Sequence, residues 1–308
     1  MKKILCLLLS FIFVLSFAAC GKNEDNSASS DSSSKVADNG SVTLINSAYA
    51  KTVEAISKAT ALGYKADIKR AVTVDNKTES TRLNGTYNFV INEDKRLVDI
   101  RSELTAQNEI RASYFYADGD RVFAHKMGNT YVLSDNDSTK SFMKNNESTP
   151  EIYDATKLKI IDTVIVNTSD GGKGFVFEYD AADKGFDAAK VFDNFYTEKE
   201  SGVTIKPSLL RISGIMDSEG RLSSQTIKYV YTYDYEDEVE NEEEDPDNSG
   251  TSSTKKVTKT AKVELVIEAT LNYGLTNVKP YGDMNIPEEN AAGTFKEITI
   301  EDFNLLTK

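Results

Sequence analysis

Cysteine is almost absent from this sequence: Cys6 and Cys20 are the only two among 308 residues. Cys6 lies in a short apolar leader, so the chain after Cys20 contains no thiol. This excludes disulfides, thiolate metal ligands and cysteine nucleophiles from the folded part of the protein. Histidine occurs once, at His125. Because zinc sites generally use several His or Cys ligands, we expect no metal site.

The sequence also lacks a set of residues that would form an active site. His125 stands in a predicted strand without a cysteine partner or a nucleophile elbow. Residues 134–136 read Ser-Asp-Asn, a motif of penicillin-binding proteins. In the folded part of the chain, no Ser-x-x-Lys motif precedes it and no Lys-Thr-Gly motif follows it, as they do in those proteins. We therefore interpret residues 134–136 as a turn, and predict a protein that is not an enzyme and uses no cofactor.

Positive charge is scarce as well, since the formal net charge is −13. Removal of the leader would take away Lys2 and Lys3 and no acidic residue, which changes the net charge to −15. Nucleic acids and anionic lipid surfaces are bound through clustered positive charge. The sequence therefore predicts no nucleic-acid partner and no electrostatic docking on a membrane.

The N-terminus has the pattern of an export signal. Lys2 and Lys3 are followed by an apolar run over residues 4–17 and by two alanines. A charged start, a short apolar run and small residues before the cleavage point are typical of a signal peptide. The run is shorter than the roughly 20 apolar residues needed to span a bilayer. We therefore assign residues 1–19 to a signal peptide.

Residues 16–20, Ser-Phe-Ala-Ala-Cys, resemble the lipobox of bacterial lipoproteins, with Phe17 at the position usually held by leucine. The resemblance implies that Cys20 becomes the N-terminus and carries two or three acyl chains, enough for stable anchoring. Residues 20–42 then form a Ser- and Asn-rich disordered tether. This places the protein outside the cytoplasm, anchored to the cell membrane by lipid. The alternative is an ordinary secretory signal followed by an incidental free cysteine.

Residues 43–308 are predicted to form a single domain rich in strands. Residues 45–63 have the apolar spacing of a helix, and Gly63 suits its C-terminal end. From residue 64 onward the apolar period changes to two, and turn residues separate successive strands, as in antiparallel hairpins. A second helix is predicted over residues 186–200, and shorter helical segments over 141–145 and 151–159.

Two long strands near the C-terminus carry the candidate ligand-binding residues. Alternate positions of the first strand hold a row of tyrosines, and alternate positions of the second hold aliphatic residues. The residues we assign to a hydrophobic ligand are Tyr229, Tyr231, Tyr233, Leu265 and Ile267. Paired, the two faces form an apolar and aromatic wall. The wall either lines a cavity or is ordinary core.

The segment that joins these strands, residues 234–256, is an acidic insertion at a hairpin tip. Asp245, Asp247, Ser249 and Gly250 match the first half of an EF-hand loop. The twelfth position of that loop must hold a bidentate glutamate. Lys256 stands there, so we predict a solvated tip and no calcium site.

The lipobox, the tether, one N-terminal amphipathic helix and a long series of hairpins with a second helix resemble the LolA/LppX-like lipoproteins. The resemblance implies an α+β fold: a strongly curved antiparallel sheet, or half-barrel, covered on one face by helices. It also implies acyl chains held between sheet and helices. No short motif accompanies it, so it assigns no functional residue.

Two functions remain open from the sequence. The first is a monomeric, membrane-anchored lipoprotein that binds or carries a hydrophobic, lipid-derived ligand. The second is a non-catalytic module of the cell envelope that binds protein or wall polymer. A cavity that is filled by side chains would favour the second.

The lipobox-like stretch makes a direct prediction for Cys20. Replacement of Cys20 by alanine removes the only acceptor for acyl chains, so the protein should remain an uncleaved precursor or be released into the medium. The measurement is partitioning into the detergent phase after temperature-induced phase separation. Detergent partitioning of a processed Cys20→Ala protein would contradict the lipoprotein assignment.

Overall fold

The structure is a computed structural model that describes most of the chain after residue 38. It covers residues 39–92, 95–106, 109–119, 121–133, 140, 142, 152–169, 172–192, 195, 203–240, 254–280, 282 and 295–306. The predicted signal peptide, Cys20, most of the tether, the Ser-Asp-Asn turn and the half EF-hand motif lie outside these residues.

The described residues form three helices and twelve strands. In chain order they are α1 (Asn39–Ser57), β1 (Ala61–Val74), β2 (Lys77–Asn92), β3 (Lys95–Ala106), β4 (Glu109–Asp118), β5 (Arg121–Lys126), β6 (Asn129–Leu133), β7 (Ile160–Asn167), β8 (Lys173–Tyr179), α2 (Ala188–Val191), β9 (Lys206–Met216), β10 (Leu222–Glu240), β11 (Thr254–Asn272), β12 (Lys296–Ile298) and α3 (Ile300–Leu305). None of the described helices is long and apolar enough to cross a bilayer.

All twelve strands belong to one sheet, in the order β12-β6-β5-β4-β3-β2-β1-β11-β10-β9-β8-β7. Strands β1 to β6 form one antiparallel meander, and β7 to β11 form a second. The two meanders join where β1 pairs antiparallel with β11. The chain then returns to the far edge, where β12 pairs parallel with β6.

The predicted fold class is wrong in two respects. The sheet is mixed rather than antiparallel, because β12 runs parallel to β6, and it is open, with β12 and β7 as separate edges. Helices form only part of its cover: α1 crosses the inner face, but α2 spans four residues and α3 six. Much of the remaining cover is non-helical chain over residues 152–158, which contributes the buried Ala155 and Leu158.

Several predicted helices differ from the structure for physical reasons. The first begins at Asn39 and ends at Ser57, and Gly63 lies in β1 instead of capping it. Leu62 is fully buried opposite Phe89, so the chain is already extended there. Residues 152–159 contain turns and no helix.

The two faces of the sheet differ in chemistry. The face that carries the tyrosine row of β10, the inner face, is buried against α1 and the non-helical segments. The outer face of β8 to β11 carries exposed ion pairs, among them Lys228–Glu264 at 2.9 Å. This confirms the predicted apolar and polar sides of β10 and β11. In the meander of β1 to β6, the outer face of β4 is covered, because Tyr114 and Tyr116 pack in a cluster with Val278.

Ion pairs on the outer face also span the junction of the meanders. Asp67 of β1 accepts hydrogen bonds from Arg82 of β2, from Nε at 2.8 Å and from Nη2 at 2.6 Å. Lys69 contacts Asp67 at 3.2 Å and Glu268 of β11 at 3.3 Å. Partial burial raises the pKa of Asp67, but the bonds from Arg82 and Lys69 outweigh it and leave this pKa below its usual value.

This geometry predicts how stability depends on pH in an Arg82→Gln variant. A lowered pKa of Asp67 means that its contribution is present above the unfolded pKa, about 3.9, and is lost as the pH falls through the folded pKa. Since the Arg82 side chain is half exposed, the loss at pH 7 should be about 0.5–1 kcal/mol. Urea denaturation between pH 7 and pH 2 measures it. A difference between wild type and variant that persists at pH 2 would contradict this prediction.

Candidate functional site

The structure brings the predicted ligand-binding residues together on the inner face. Antiparallel pairing of β10 with β11 places Tyr229 opposite Leu265 and Ile227 opposite Ile267. The ring centroids of Tyr229 and Tyr231 lie 5.4 Å apart, and those of Tyr231 and Tyr233 lie 6.4 Å apart. These contacts form the continuous aromatic wall expected from the alternation.

The aromatic wall is buried in this structure. Tyr231 has no exposed surface, and Tyr229 contacts Phe186 at 5.1 Å between ring centroids. Burial raises the pKa of Tyr229. Tyr229, Tyr231 and Tyr233 are therefore part of a closed aromatic core, which also contains Phe177 and Tyr179 of β8. A direct role of these residues in binding a ligand stays a prediction.

Helix α1 crosses the inner face and is held there by hydrogen bonds. Thr52 Oγ1 accepts a bond from the Leu222 backbone N–H at 2.7 Å. Gln225 Nε2 donates to Tyr49 Oη and, at 2.8 Å, to the Tyr153 carbonyl oxygen. Burial is the largest cause that raises the pKa of Tyr49. These bonds fix α1 across β10.

A row of small and polar side chains crosses the inner face beside the aromatic wall. It follows directly from the strand registers, since each member is the pairing partner of the next. From β9 to β5 the members are Gly214, Gln225, Ala269, Ala66, Gly85, Ser102, Ser113 and Lys126. We call this set the small-residue row. It runs between the bulky residues of two apolar clusters of the inner face, the second of which includes Ala66 and Ala269.

Bulky residues flank the small-residue row on both sides. On one side, Ile227, Ile68 and Leu83 belong to the cluster of the aromatic wall. On the other side, Tyr64 and Tyr87 belong to a second cluster. Side chains of paired residues lie next to each other on the same face of a sheet. A line of small side chains between two lines of large ones therefore forms a shallow trough in the sheet surface.

The trough contains a buried hydroxyl that lacks a hydrogen bond. Ser102 is 6% exposed, and its Oγ is buried with no hydrogen-bond partner among the described residues. Such an unsatisfied polar group costs about 1–3 kcal/mol. Ser113 on the neighbouring strand is buried as well. The Ser102 hydroxyl is therefore a polar group whose partner is not found among the described residues.

Lys126 ends the small-residue row at β5. Its Nζ lies 3.4 Å from the Phe303 carbonyl oxygen and 5.5 Å from the centroid of the Phe303 ring. Burial lowers the pKa of Lys126. A half-buried ammonium group thus stands at the end of a trough that is otherwise uncharged from Ala269 to Ser113.

The sequence did not reveal the small-residue row. Its members come from eight different strands, and each is an unremarkable residue within its own strand. Their common row appears only when all the registers are known. The usable signal was the interruption of the inward apolar pattern by Ser102 and Ser113 at positions where neighbours carry Ile or Phe.

The structure also describes the surroundings of His125, the possible metal ligands and the two ends of the acidic insertion. His125 is buried, and its Nδ1 lies 2.9 Å from Thr130 Oγ1 on the neighbouring strand. In the part of the chain that the structure describes, no group of three or more His, Cys, Asp or Glu residues is placed to hold a metal ion. The strands extend into the acidic insertion, where Glu238 pairs with Lys256 and Glu240 with Thr254.

Comparisons with known proteins give a similarity to solved structures only. No protein-family model and no curated protein matches this chain. Solved structures similar to it are LprF from Mycobacterium bovis, a DUF1329 family protein from Desulfovibrio piger and a Vibrio parahaemolyticus domain described as outer membrane lipoprotein-sorting. Their sequence identities are 11%, 10% and 11%.

These three similarities extend over most of each chain. They cover 79%, 75% and 75% of this chain and 97%, 95% and 95% of the others, with TM-scores of 0.31, 0.21 and 0.20. A domain described as lipoprotein-sorting is among them, which agrees with the resemblance named from the sequence. TM-scores this low carry no argument on function, which has to follow from this chain's own residues.

The glycine of the small-residue row yields a prediction on stability. A Cβ at Gly214 would lie 2.6 Å from two ring atoms of Phe175 and 2.8 Å from the Ser224 carbonyl oxygen. Rotation of the ring relieves only the first clash. Gly214→Ala should therefore destabilise the fold by about 1–3 kcal/mol, as overpacking does. Denaturant unfolding measures this.

The matched control for this variant is Gly282→Ala. A Cβ at Gly282 meets nothing within 4 Å, so the change should stay within about 0.5 kcal/mol of wild type. Equal stability of the two variants would show that Phe175 and β10 do not confine Gly214 as the structure describes.

Proposed function

We propose that this protein is an extracytoplasmic lipoprotein that binds a hydrophobic, lipid-derived ligand along the small-residue row of the inner face. Cys20 anchors it to the membrane, and the tether lets the domain reach ligand at the membrane surface. It has no catalytic role in this proposal. The observation that carries the proposal is the unsatisfied hydroxyl of Ser102 within a trough bordered by apolar clusters.

The chemistry of the trough matches an amphiphile. Sites for small hydrophobic ligands are mostly apolar with a few polar groups that orient the ligand. Here the two apolar clusters border the trough, and Ser102, Ser113 and Lys126 form its polar part. A carbonyl, ester or hydroxyl oxygen of the ligand would supply the missing partner of Ser102 Oγ.

The size of the trough also matches an acyl chain. From Gln225 to Lys126 the row crosses seven strands, which corresponds to about 29 Å because neighbouring strands lie about 4.8 Å apart. A bilayer core of about 30 Å contains two leaflets, so one acyl chain extends about 15 Å. The row is thus longer than one extended acyl chain, by enough for the polar end of a ligand.

The experiment that tests this proposal compares lipid bound to wild type and to Ser102→Val. The full-length protein is purified from bacterial membranes in mild detergent, extracted with organic solvent and analysed by quantitative mass spectrometry. Valine fills the trough and removes the hydroxyl, so bound lipid should fall well below the wild-type amount. Stability should be unchanged or higher, because no hydrogen bond is lost and valine favours strands.

Ser213→Val is the matched control, because it makes the same chemical change on the outer face of β9, opposite Thr226. It should leave bound lipid unchanged. Absence of lipid from the wild-type extract, or equal loss in both variants, would contradict the proposal. The inner face would then be a filled core, and the alternative of a cell-envelope interaction module would take its place.

A further inference from the structure

The edge strand β7 is exposed, and its protection against pairing is confined to its first residues, where Asp162 and an irregularity between Ile160 and Asp162 lie. In the described part of the chain it bonds only with β8, so the amide and carbonyl groups of its other side face outward. Its sequence, IIDTVIVN, has no Lys, Arg or Pro. Natural sheets protect their edges with charges, proline or very short strands. The opposite edge, β12, follows that rule, since it has three residues and includes Lys296 and Glu297.

Next to this edge, the outer face carries an exposed apolar patch. Its members are Val164 at 52% exposure, Val166 at 54%, Val176 at 38% and Ile215 at 43%. They are neighbours because Val164 pairs with Val176, while Gly174 pairs with both Val166 and Ile215. We call these four residues the edge patch. It departs from the rest of the outer face of β8 to β11, which carries ion pairs such as Arg211–Glu178.

We propose that β7 pairs antiparallel with β7 of a second copy of this chain, which extends the sheet across a two-fold axis and covers the edge patch. Ile165 lies at the centre of the pairing. Val164 then stands opposite Val166 of the second copy, and Thr163 opposite Asn167. Apolar residues meet apolar residues on both faces in this register, and the edge patches of the two copies become continuous.

The register also keeps like charges apart. Asp162 is the only charged residue of β7, and it falls opposite Thr168 of the second copy. The two Asp162 side chains are then six strand positions apart, about 20 Å, which exceeds the Debye length of about 8 Å at physiological salt. The irregularity of β7 between Ile160 and Asp162 lies outside the paired residues.

A second copy matches this edge better than the chain's own N-terminal segment does. Residues 21–38 are rich in Ser, Asn and Asp, with Val36 as the single β-branched aliphatic residue. Such a segment offers a single bulky apolar side chain to cover the edge patch. An identical β7 offers two exposed valines at the required spacing. The proposal replaces the monomer expected from the sequence and does not depend on a bound lipid.

Register-specific cross-linking tests the proposal directly. The full-length chain with Cys6→Ser and Cys20→Ser is kept in nonionic detergent at about 0.15 M salt, where repulsion between acidic copies is screened. Val164→Cys and Val166→Cys are then introduced separately. Directly opposite Cβ atoms lie about 4.5–5.5 Å apart and diagonal ones about 7–8 Å. An equal mixture should therefore form several-fold more disulfide dimer than either variant alone, with the link located by mass spectrometry.

Association without added cysteine provides the second measurement. Val166→Lys places a charge on the edge, so the dimer measured by sedimentation should dissociate about tenfold or more readily than wild type. Val53→Lys on α1 is the matched control, because Val53 is an apolar side chain of similar exposure, 61%, away from the edge. A monomeric wild type, equal effects of both lysines, or self-linking of Val164→Cys as efficient as the mixture would overturn the proposal.

Discussion

The whole sheet depends on the antiparallel pairing of β1 with β11. It joins the two meanders through strands that are separated by most of the domain in sequence, with pairs from Gly63–Asn272 to Thr73–Lys262. Closure of so long a loop costs little more than closure of a short one, because the entropy cost grows only logarithmically. The register is fixed by burial: a slip of one residue would turn Tyr64 and Ile68 to the outer face. Lys69 and Glu268 would lose their ion pair at the same time.

That register also determines where the inner face can accept a ligand. Ala66 of the first meander and Ala269 of the second stand opposite each other at the junction. The small-residue row therefore runs without interruption from one meander into the other, while the bulky residues line up on either side of it. A different register would break the row into isolated small residues, each covered by larger neighbours. The unsatisfied Ser102 hydroxyl belongs to a feature of the assembled sheet, and no single hairpin contains it.

The sequence predicted the features that depend on local pattern. Alternation of apolar and polar residues gave most strands, the pairing of β10 with β11 and the common face of Tyr229 and Leu265. Sequence patterns gave a wrong prediction where apolar residues have helical spacing but pack in a core without a long helix among the described residues. Phe186, Phe192 and Phe195 have the spacing of a helix and pack in the aromatic core. In the described part of residues 186–200 the α-helix spans Ala188–Val191, and residues 193, 194 and 196–200 of the predicted helix lie outside the described residues. The three-residue strand β12, which makes the sheet mixed, has no periodic pattern that a sequence could reveal.

The difference between the two sheet edges follows from the order of the strands along the chain and in the sheet. Two meanders joined at β1 and β11 leave β6 and β7 at opposite ends of the sheet. The chain that follows β11 can reach one of them, and it reaches β6, where Ile298 pairs with Leu133 and α3 buries Phe303. Burial of these side chains stabilises that end, since each fully buried apolar side chain contributes about 1.5–3 kcal/mol. No described strand follows to cover β7. Topology thus concentrates the exposed backbone groups and the exposed valines of the sheet at the same edge, where a partner strand would satisfy both.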